Sequence, residues 1–254
     1  MLRYLINFIY PPRCAACGDR MALDTTASVC VACIERIERI PEPICELCGI
    51  PLQSASPPLL YESGESQRGT PRHCRACVNL PPHFRRARAV SLYRPGTTED
   101  GQVVPSIIRR HKYGRDQSLS RALAQCLGDI LPLDGNDYDL VIPIPLHRRR
   151  LRWRGFNQAA LLARTVAKRM NCKLDVAAIA RTTNSPPQTS QDRNQRRQNV
   201  RGAFVVTSPN RLLNRRVLLV DDVMTTGATL DECARTILNA GAQRVDVFTL
   251  ARAI

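Results

Sequence analysis

Lysine is nearly absent from this chain. Lys112, Lys168 and Lys173 are the only three among 37 basic residues, so a formal charge of +15 over 254 residues is carried by arginine. A GC-rich genome accounts for arginine in place of lysine. It does not account for the shortage of carboxylates, 22 against 37 cations, and that excess points to a polyanionic partner. Long apolar runs are missing as well. The opening "MLRYLINFIYPPRC" holds an apolar stretch of only about six residues, interrupted by Asn7 and ended by Pro11 and Pro12. That is too short to span a bilayer and has no small-residue cleavage site, so a short helix packed on the rest of a cytoplasmic protein, with no membrane span, is expected. Aromatic residues are scarce at 5%, which argues against an extended base-stacking platform and leaves Trp153 and Phe156, set among arginines, as stacking candidates. What is present, 44% hydrophobic against 23% charged residues, is enough to bury a core in one or two domains.

Cysteine divides the chain. Eight of eleven cysteines precede residue 78, in four C-x-x-C pairs: Cys14/Cys17, Cys30/Cys33, Cys45/Cys48 and Cys74/Cys77. Two thiolates two residues apart can face one metal from a tight turn, often with glycine just after, as in "CAACG" and "CELCG", and two such knuckles complete a tetrahedral site. Two structural zinc ions are expected. Sequence order pairs the first two knuckles and the last two, with a cross-braced pairing left open. A disulfide framework fits poorly with reduced cytosolic thiols, and four successive pairs argue for a repeated structural unit over a redox site. His73 beside Cys74 is a lesser ligand candidate. Cys126, Cys172 and Cys233 read as small core residues. Residues 49–73, rich in Ser, Pro and Gly, read as a flexible insertion in the second ribbon. The expected organisation is a double zinc ribbon over 1–80 and a second domain over 81–254.

Beyond Cys77 strands alternate with helices. Arg86–Arg94, Asp139–Pro145, Arg215–Val220 and Arg244–Ala251 read as strands; Leu119–Leu131, Asn157–Met170 and Thr229–Gly241 repeat apolar residues at helical spacing. Such alternation predicts an α/β fold with a mostly parallel sheet covered on both faces, and ligands bind at the carboxyl ends of its strands. There the chain reads "VLLVDDVMTTGATL", Val217 to Leu230. Asp221 and Asp222 are expected at the end of a buried strand. Thr225, Thr226, Gly227, Ala228 and Thr229 turn it into a helix whose N-terminal amides suit a phosphate. Carboxylates accept from hydroxyls, so a phosphate beside vicinal hydroxyls, a ribose 5-phosphate, is the matching ligand. A receiver domain also pairs aspartates at a strand end, but near its start and without this threonine-glycine turn.

This segment resembles the phosphoribosyl pyrophosphate (PRPP) motif of type I phosphoribosyltransferases. The order of four cysteine pairs, "HKYGRD" (His111 to Asp116), "DLVIPIPLHRRRLRWRGFNQA" (Asp139 to Ala159), "RNQRRQNVRGAF" (Arg193 to Phe204) and that motif is similar to the ComF family over essentially the whole chain. The resemblance implies a type I phosphoribosyltransferase-like domain in which Asp221 and Asp222 hold the ribose hydroxyls and Thr225 to Thr229 the 5-phosphate. It places pyrophosphate at the turn that Pro143 and Pro145 stiffen, near Leu146, His147, Arg148 and the arginines that follow, with Lys112 facing the phosphates. A solvated basic turn and a surface lysine are the plain alternatives. Asn157 serves equally as helix N-cap or ligand contact. A mobile loop over 182–202 would carry Gln188, Arg193, Arg196 and Arg197 to pyrophosphate or DNA. The implied cofactors are two zinc ions and magnesium carried with PRPP. The implied function is PRPP binding with single-stranded DNA handling in natural transformation, alongside other DNA-uptake proteins, or alternatively active phosphoribosyl transfer to a nucleobase or another acceptor.

Overall fold

The computed structural model describes residues 6–8, 10–52, 72–94, 102–113, 119–127, 135–183 and 193–254. Two short helices, α1 (Val31–Glu35) and α2 (Arg75–Asn79), belong to the cysteine-rich part. Then follow β1 (Ala87–Tyr93), α3 (Val103–Tyr113), α4 (Leu119–Cys126), β2 (Leu140–Pro143), α5 (Arg148–Arg154), α6 (Gln158–Arg169) and β3 (Lys173–Leu174). The chain continues through β4 (Ile179–Arg181), α7 (Arg193–Val200), β5 (Phe204–Val206), β6 (Arg216–Met224), α8 (Ala228–Asn239) and β7 (Arg244–Ala253). Five strands form one sheet in the order β1-β7-β6-β2-β3, every pair parallel. β4 and β5 make a separate antiparallel pair.

The central strands are apolar on both faces because both are covered. On one face Leu218, Val220, Phe248 and Leu250 pack with Ile107 of α3, Leu123 of α4 and the Leu162–Ala163–Val166–Ala167 stripe of α6. On the other, Val217, Leu219, Val245 and Val247 meet Leu230, Cys233, Ala234 and Ile237 of α8. Asn157 caps α6, its side chain accepting from the Ala159 amide at 3.1 Å. The cysteine-rich part continues these cores: Cys14, Val29, Cys33 and Ile37 join the first, and Cys45, Cys48 and Cys77 the second. Gln125 of α4 accepts from the Ser28 and Val29 amides at 2.8 and 3.0 Å, while the Ala87 amide donates to Leu47 at 2.6 Å. One ribbon therefore sits against each face.

Several elements differ from the sequence expectation. β6 runs on to Met224 because β7 continues to pair with it past the point where β2 stops. α3 was not expected, and the arginine turn after β2 is shorter than the sequence suggests: the chain is irregular only from Ile144 to His147 before α5 begins. β3, two residues long, carries too little pattern to be read. The helix expected over 119–131 extends through Cys126, with a turn at Leu127, and 128–134 lie outside the described residues. Ile6 to Phe8 are helical, as expected of the opening segment. Cys126 and Cys233 are buried and Cys172 is half-buried. In the stretch read as an insertion, Leu52 donates to the Pro43 carbonyl at 2.8 Å and 53–71 lie outside the described residues. No helix among the described residues is long and apolar enough to cross a membrane.

The amino edge of the sheet is tied by one buried carboxylate. Asp246, 0% exposed, accepts from Arg85 Nε and Nη2 at 3.0 and 2.6 Å, from Arg86 Nε at 3.2 Å and from the Tyr138 hydroxyl at 2.7 Å. Burial raises its pKa, but the hydrogen bonds from Arg85 and Tyr138 outweigh that and hold the carboxyl below its ordinary range. Removing one partner of such a set strands the others in a dry site. Asp246→Ala is expected to lower the urea unfolding free energy of the zinc-loaded protein by about 3 kcal/mol, and Tyr138→Phe by about 1 kcal/mol.

Candidate functional site: a ribose-phosphate crevice and two thiolate clusters

The chain leaves β2 toward β3 on one side and leaves β6 toward β7 on the other, with α6 and α8 on opposite faces. The sheet order thus reverses between β2 and β6, and the crevice outside their carboxyl ends is the place where such folds take a ligand. The last β2–β6 partners are Pro143 and Val220, followed by an Ile144 amide donating to Val220 at 2.9 Å. This brings Ile144–His147 beside Asp221–Thr225. Asn157 ties the first segment down, donating through Nδ2 to the Ile144 carbonyl at 3.0 Å; capping and anchoring are both its work.

Because β6 continues past the crevice floor, its two-residue period turns Asp221 and Asp222 to opposite faces. Asp221 is half-buried and its side chain accepts from the Asp222 amide at 2.9 Å; Asp222 is buried. Thr225 is exposed, Thr226 and Thr229 half-buried, Gly227 and Ala228 buried. Gly227 has φ +82°, which a side chain would strain, and a Cβ there would approach Met224 Cε to 2.8 Å. It is the N-cap of α8, whose first turn presents amides without intrahelical acceptors. On the other wall, Leu146 and His147 are half-buried and Arg148 is exposed; His147 caps α5 by accepting from the Arg149 amide at 3.3 Å.

Two arginines escaped the sequence reading of this site. Arg181, at the end of β4, stacks over Phe204 at 5.6 Å and lies within electrostatic reach of Asp221 and Arg150. Burial, then Arg150, pushes the Arg181 guanidinium below its ordinary range against the pull of Asp221. Burial, then Arg154, does the same to Arg150. Arg181, a desolvated guanidinium within electrostatic reach of Asp221 and Arg150, has donor geometry suited to a further anion. Arg252, 4% exposed near the end of β7, is the second. A charged residue in the apolar run "VFTLARAI" was its only sequence signal.

The remaining sequence candidates are placed unevenly. Lys112 falls in the last turn of α3, its side chain outside the described residues, as are those of Arg193 and Arg196 on α7 and the whole of Gln188. Arg197 is paired with Asp231 of α8 at 3.7 Å. Trp153 is 54% exposed among the arginines of α5, whereas Phe156 is 8% exposed, which removes it as a stacking surface. A cavity of about 470 Å³ bordered by Asp139, Lys173, Asp175, Arg211 and Arg215 lies at the amino ends of β2 and β3, across the sheet from the crevice. Its carboxylates are committed, Asp139 to Arg216 at 2.9 Å and Asp175 to Arg211 at 3.2 Å.

The eight cysteines gather as Cys14/Cys17/Cys30/Cys33 and Cys45/Cys48/Cys74/Cys77, the thiol sulfurs of each set within 4.8 Å of one another. Pairing therefore follows sequence order. His73 is not part of either set. Only half the pairs are turn knuckles. Cys14–Gly18 and Cys45–Gly49 close with Gly18 N–H to Cys14 O and Gly49 N–H to Cys45 O, at 2.9 and 2.8 Å, but Cys30 and Cys74 are helix N-caps, with Cys33 and Cys77 in the first turns of α1 and α2. Sulfur separations of 3.9 Å (Cys17–Cys30) and 3.6 Å (Cys48–Cys74) match the roughly 3.8 Å edge of a tetrahedron with 2.3 Å zinc–sulfur bonds. Against the upward push of burial, amides of Cys30, Cys17 and Ala16 bring the Cys14 thiol down to about 6. In the second cluster, hydrogen bonding from Cys48 pushes Cys45 far down while Cys45 pushes Cys77 far up. Thiols this crowded share their charge unevenly until a divalent cation compensates all four, and the donor set fits zinc.

Fold, crevice and thiolate clusters together define a phosphoribosyltransferase-type α/β protein carrying an amino-terminal double zinc ribbon. Family models agree: a double zinc ribbon domain matches residues 5–78 and a phosphoribosyl transferase domain residues 157–254. The chain is 29% identical to the DNA utilization protein YhgH of Escherichia coli O157:H7, over 96% of this chain and 98% of that one. It is 27% identical to competence protein F of Haemophilus influenzae over 98% and 100%, and 26% identical to competence protein ComFC of Bacillus subtilis over 94% of each. Over nearly its whole length the chain is thus similar to these competence and DNA-utilization proteins. Among solved structures, a purine phosphoribosyltransferase from Pyrococcus horikoshii Ot3 aligns with 55% of this chain and 74% of that one at 19% identity, TM-score 0.30, too partial a superposition to add to the strand order itself.

Thiol titration with a mercurial in the presence of a zinc-sensitive dye is expected to release two zinc ions per chain. Cys17→Ser, at the exposed corner of the first cluster, is expected to leave one.

Proposed function

We propose that this chain binds PRPP at the β2–β6 crevice and handles single-stranded DNA on the adjacent arginine helix. The observation that carries the first part is the meeting, at the topological switch, of Asp221 and Asp222, the Thr225–Thr229 turn and the Ile144–His147 turn that leads into the arginine-rich α5. In this reading the turn amides and hydroxyls hold the 5-phosphate and the carboxylates take the ribose hydroxyls. Leu146, His147 and Arg148 meet the pyrophosphate, helped by Arg150 and Arg181. By the same resemblance Lys112, Gln188, Arg193, Arg196 and Arg197 are further candidates for contact with pyrophosphate or DNA. Magnesium arrives with PRPP and supplies charge neutralisation to the pyrophosphate.

The DNA part is supported by α5, on which Arg148, Arg149, Arg152 and Trp153 are all exposed next to the crevice. Phosphate contacts from arginine and one stacking ring are the elements of sequence-tolerant single-strand binding, and the relatives carry competence and DNA-utilization names. The proposed compartment is the cytoplasm, where reducing conditions keep thiols available for zinc. A second reading, transfer of the phosphoribosyl group to an acceptor, is favoured by Arg181, a desolvated guanidinium within electrostatic reach of Asp221 and Arg150 and suited to a departing pyrophosphate. In that step the bond from C1 to the pyrophosphate oxygen breaks, pyrophosphate leaves with the electron pair, and the acceptor's lone pair forms the new bond at C1.

Calorimetric titration with PRPP and Mg²⁺ is expected to give saturable binding that the Asp221→Ala/Asp222→Ala variant loses by at least about tenfold; equal binding by both proteins would sink the site assignment. Trp153, the chain's single tryptophan, supplies its own probe of the DNA reading. Its fluorescence should be quenched by an oligothymidylate with a log–log salt slope that Arg152→Ala lowers by roughly 0.7. An unquenched Trp153 at low salt would remove α5 from the DNA surface.

A further inference from the structure

Arg252 is the most completely buried cation at the carboxyl edge of the sheet, and it spends its donors on main-chain carbonyls. Nε donates to the Cys48 carbonyl at 3.2 Å. Nη1 donates to the carbonyls of Met224 at 3.0 Å and Ala253 at 2.8 Å, and also to that of Thr225. One planar, rigid group therefore joins two things that the sequence separates by more than 170 residues: the knuckle of the second thiolate cluster, through a residue that is itself a ligand, and the first residues of the phosphate turn.

The direction of those bonds matters. In a trans peptide unit the carbonyl and the following amide point opposite ways. A guanidinium that holds the Met224 and Thr225 carbonyls consequently aims the Thr225 and Thr226 amides away from itself, into the turn that Gly227 closes. The other end of the tether is fixed independently. Leu47 and Glu46 of the knuckle accept from the Ala87 amide at 2.6 Å and from Arg88 Nη1 at 2.9 Å. Gly49, at φ +66°, lies so close to β1 that a Cβ would come within 2.7 Å of the Ala87 carbonyl. Among the described residues the first cluster has no such link; its contacts run to α3 and α4 through Arg110 and Gln125, and the segment after it meets β1 through Glu38 and Arg39.

We propose that Arg252 is a positioning residue through which zinc at the second cluster sets the geometry of the phosphate turn, so that affinity for a ribose 5-phosphate group depends on that zinc and not on the first. Without zinc the crowded thiolates separate, Cys48 shifts, and the guanidinium loses the acceptor that orients it. The inference rests on the reading of Thr225–Thr229 as the phosphate cradle.

The test compares full-length wild type with Arg252→Lys, Cys74→Ser, the double variant and Cys17→Ser. Cys74 is chosen because its loss empties the second cluster while leaving the Cys48 carbonyl in the chain. Three quantities are read: zinc per chain, affinity for ribose 5-phosphate and for PRPP with Mg²⁺, and amide hydrogen exchange of 224–229 against the sheet interior, 217–220. Arg252→Lys is expected to keep two zinc ions and unchanged exchange in 217–220, yet to exchange faster in 224–229 and bind both phosphates about tenfold more weakly. Cys74→Ser is expected to match it with one zinc ion, the double variant to add little more, and Cys17→Ser to bind like wild type. Additive losses, or equal losses from Cys17→Ser and Cys74→Ser, would overturn the proposal. If Cys74→Ser loses protection in 217–220 as well, Arg252→Lys decides: wild-type exchange at 224–229 overturns the tether, faster exchange there supports it. If wild type binds neither phosphate compound, the cradle reading fails by itself, and the exchange rates still decide whether Arg252 holds the turn.

Discussion

The ladder between β2 and β6 ends at Pro143 and Val220, and the architecture at the carboxyl edge follows from that ending. Past it β2 has no partner on this side and must leave the sheet, while β6 stays paired to β7 as far as Met224. A gap opens between two chains that a moment earlier were hydrogen-bonded. Its walls are set by which way each chain leaves: the β2 turn into an arginine-rich helix, the β6 turn into the amino end of α8. Neither wall needs a dedicated domain to place it. Helices on opposite faces pull the two exits apart, and the same separation that buries Leu162 on one side and Leu230 on the other keeps the crevice open.

Much of this was legible because the informative features are local. The buried run "VLLV" ending in acids and a threonine-glycine turn, and the C-x-x-C spacing, depend on residues within a few positions of each other. The strand-helix alternation emerged as read, and the thiolates grouped in the sequence-order arrangement, one of the two that the spacing left open. What stayed hidden depends on partners far away in sequence. The extension of β6 through Asp221 and Asp222 is dictated by β7, so the two carboxylates turned out to face opposite sides. Arg181 and Arg252 act through residues that are tens to hundreds of positions distant, and nothing in their own neighbourhoods marks them beyond a charge in an apolar strand. Phe156 looked like a stacking candidate on composition, but the fold buries it. The double role of helix N-termini in the thiolate clusters was missed for a different reason, because C-x-x-C is compatible with both a knuckle and a first helical turn.

The two ribbons share a plan, a glycine-closed knuckle facing a helix N-terminus, yet their settings differ. The first leans on α3 and α4, elements of the outer layer, and the segment after it meets the end of β1 through Glu38 and Arg39. The second lies directly on β1 and reaches the end of β7. Both sites finish a core, but only the second, among the described residues, is bonded to the edge where β6 ends.

The strand order has a consequence for how the chain acquires this shape. β1 pairs only with β7 in the main sheet, and β7 follows it in the sequence by on the order of 150 residues. A ribosome that has delivered β1 has therefore delivered an orphan edge, whose backbone donors and acceptors wait while two thirds of the molecule is still being made. The cysteine clusters close over short spans and can form early, but the sheet on which they rest closes only when its penultimate position is filled by the strand that comes after all the others, so long-range closure, not local structure, sets the pace of folding.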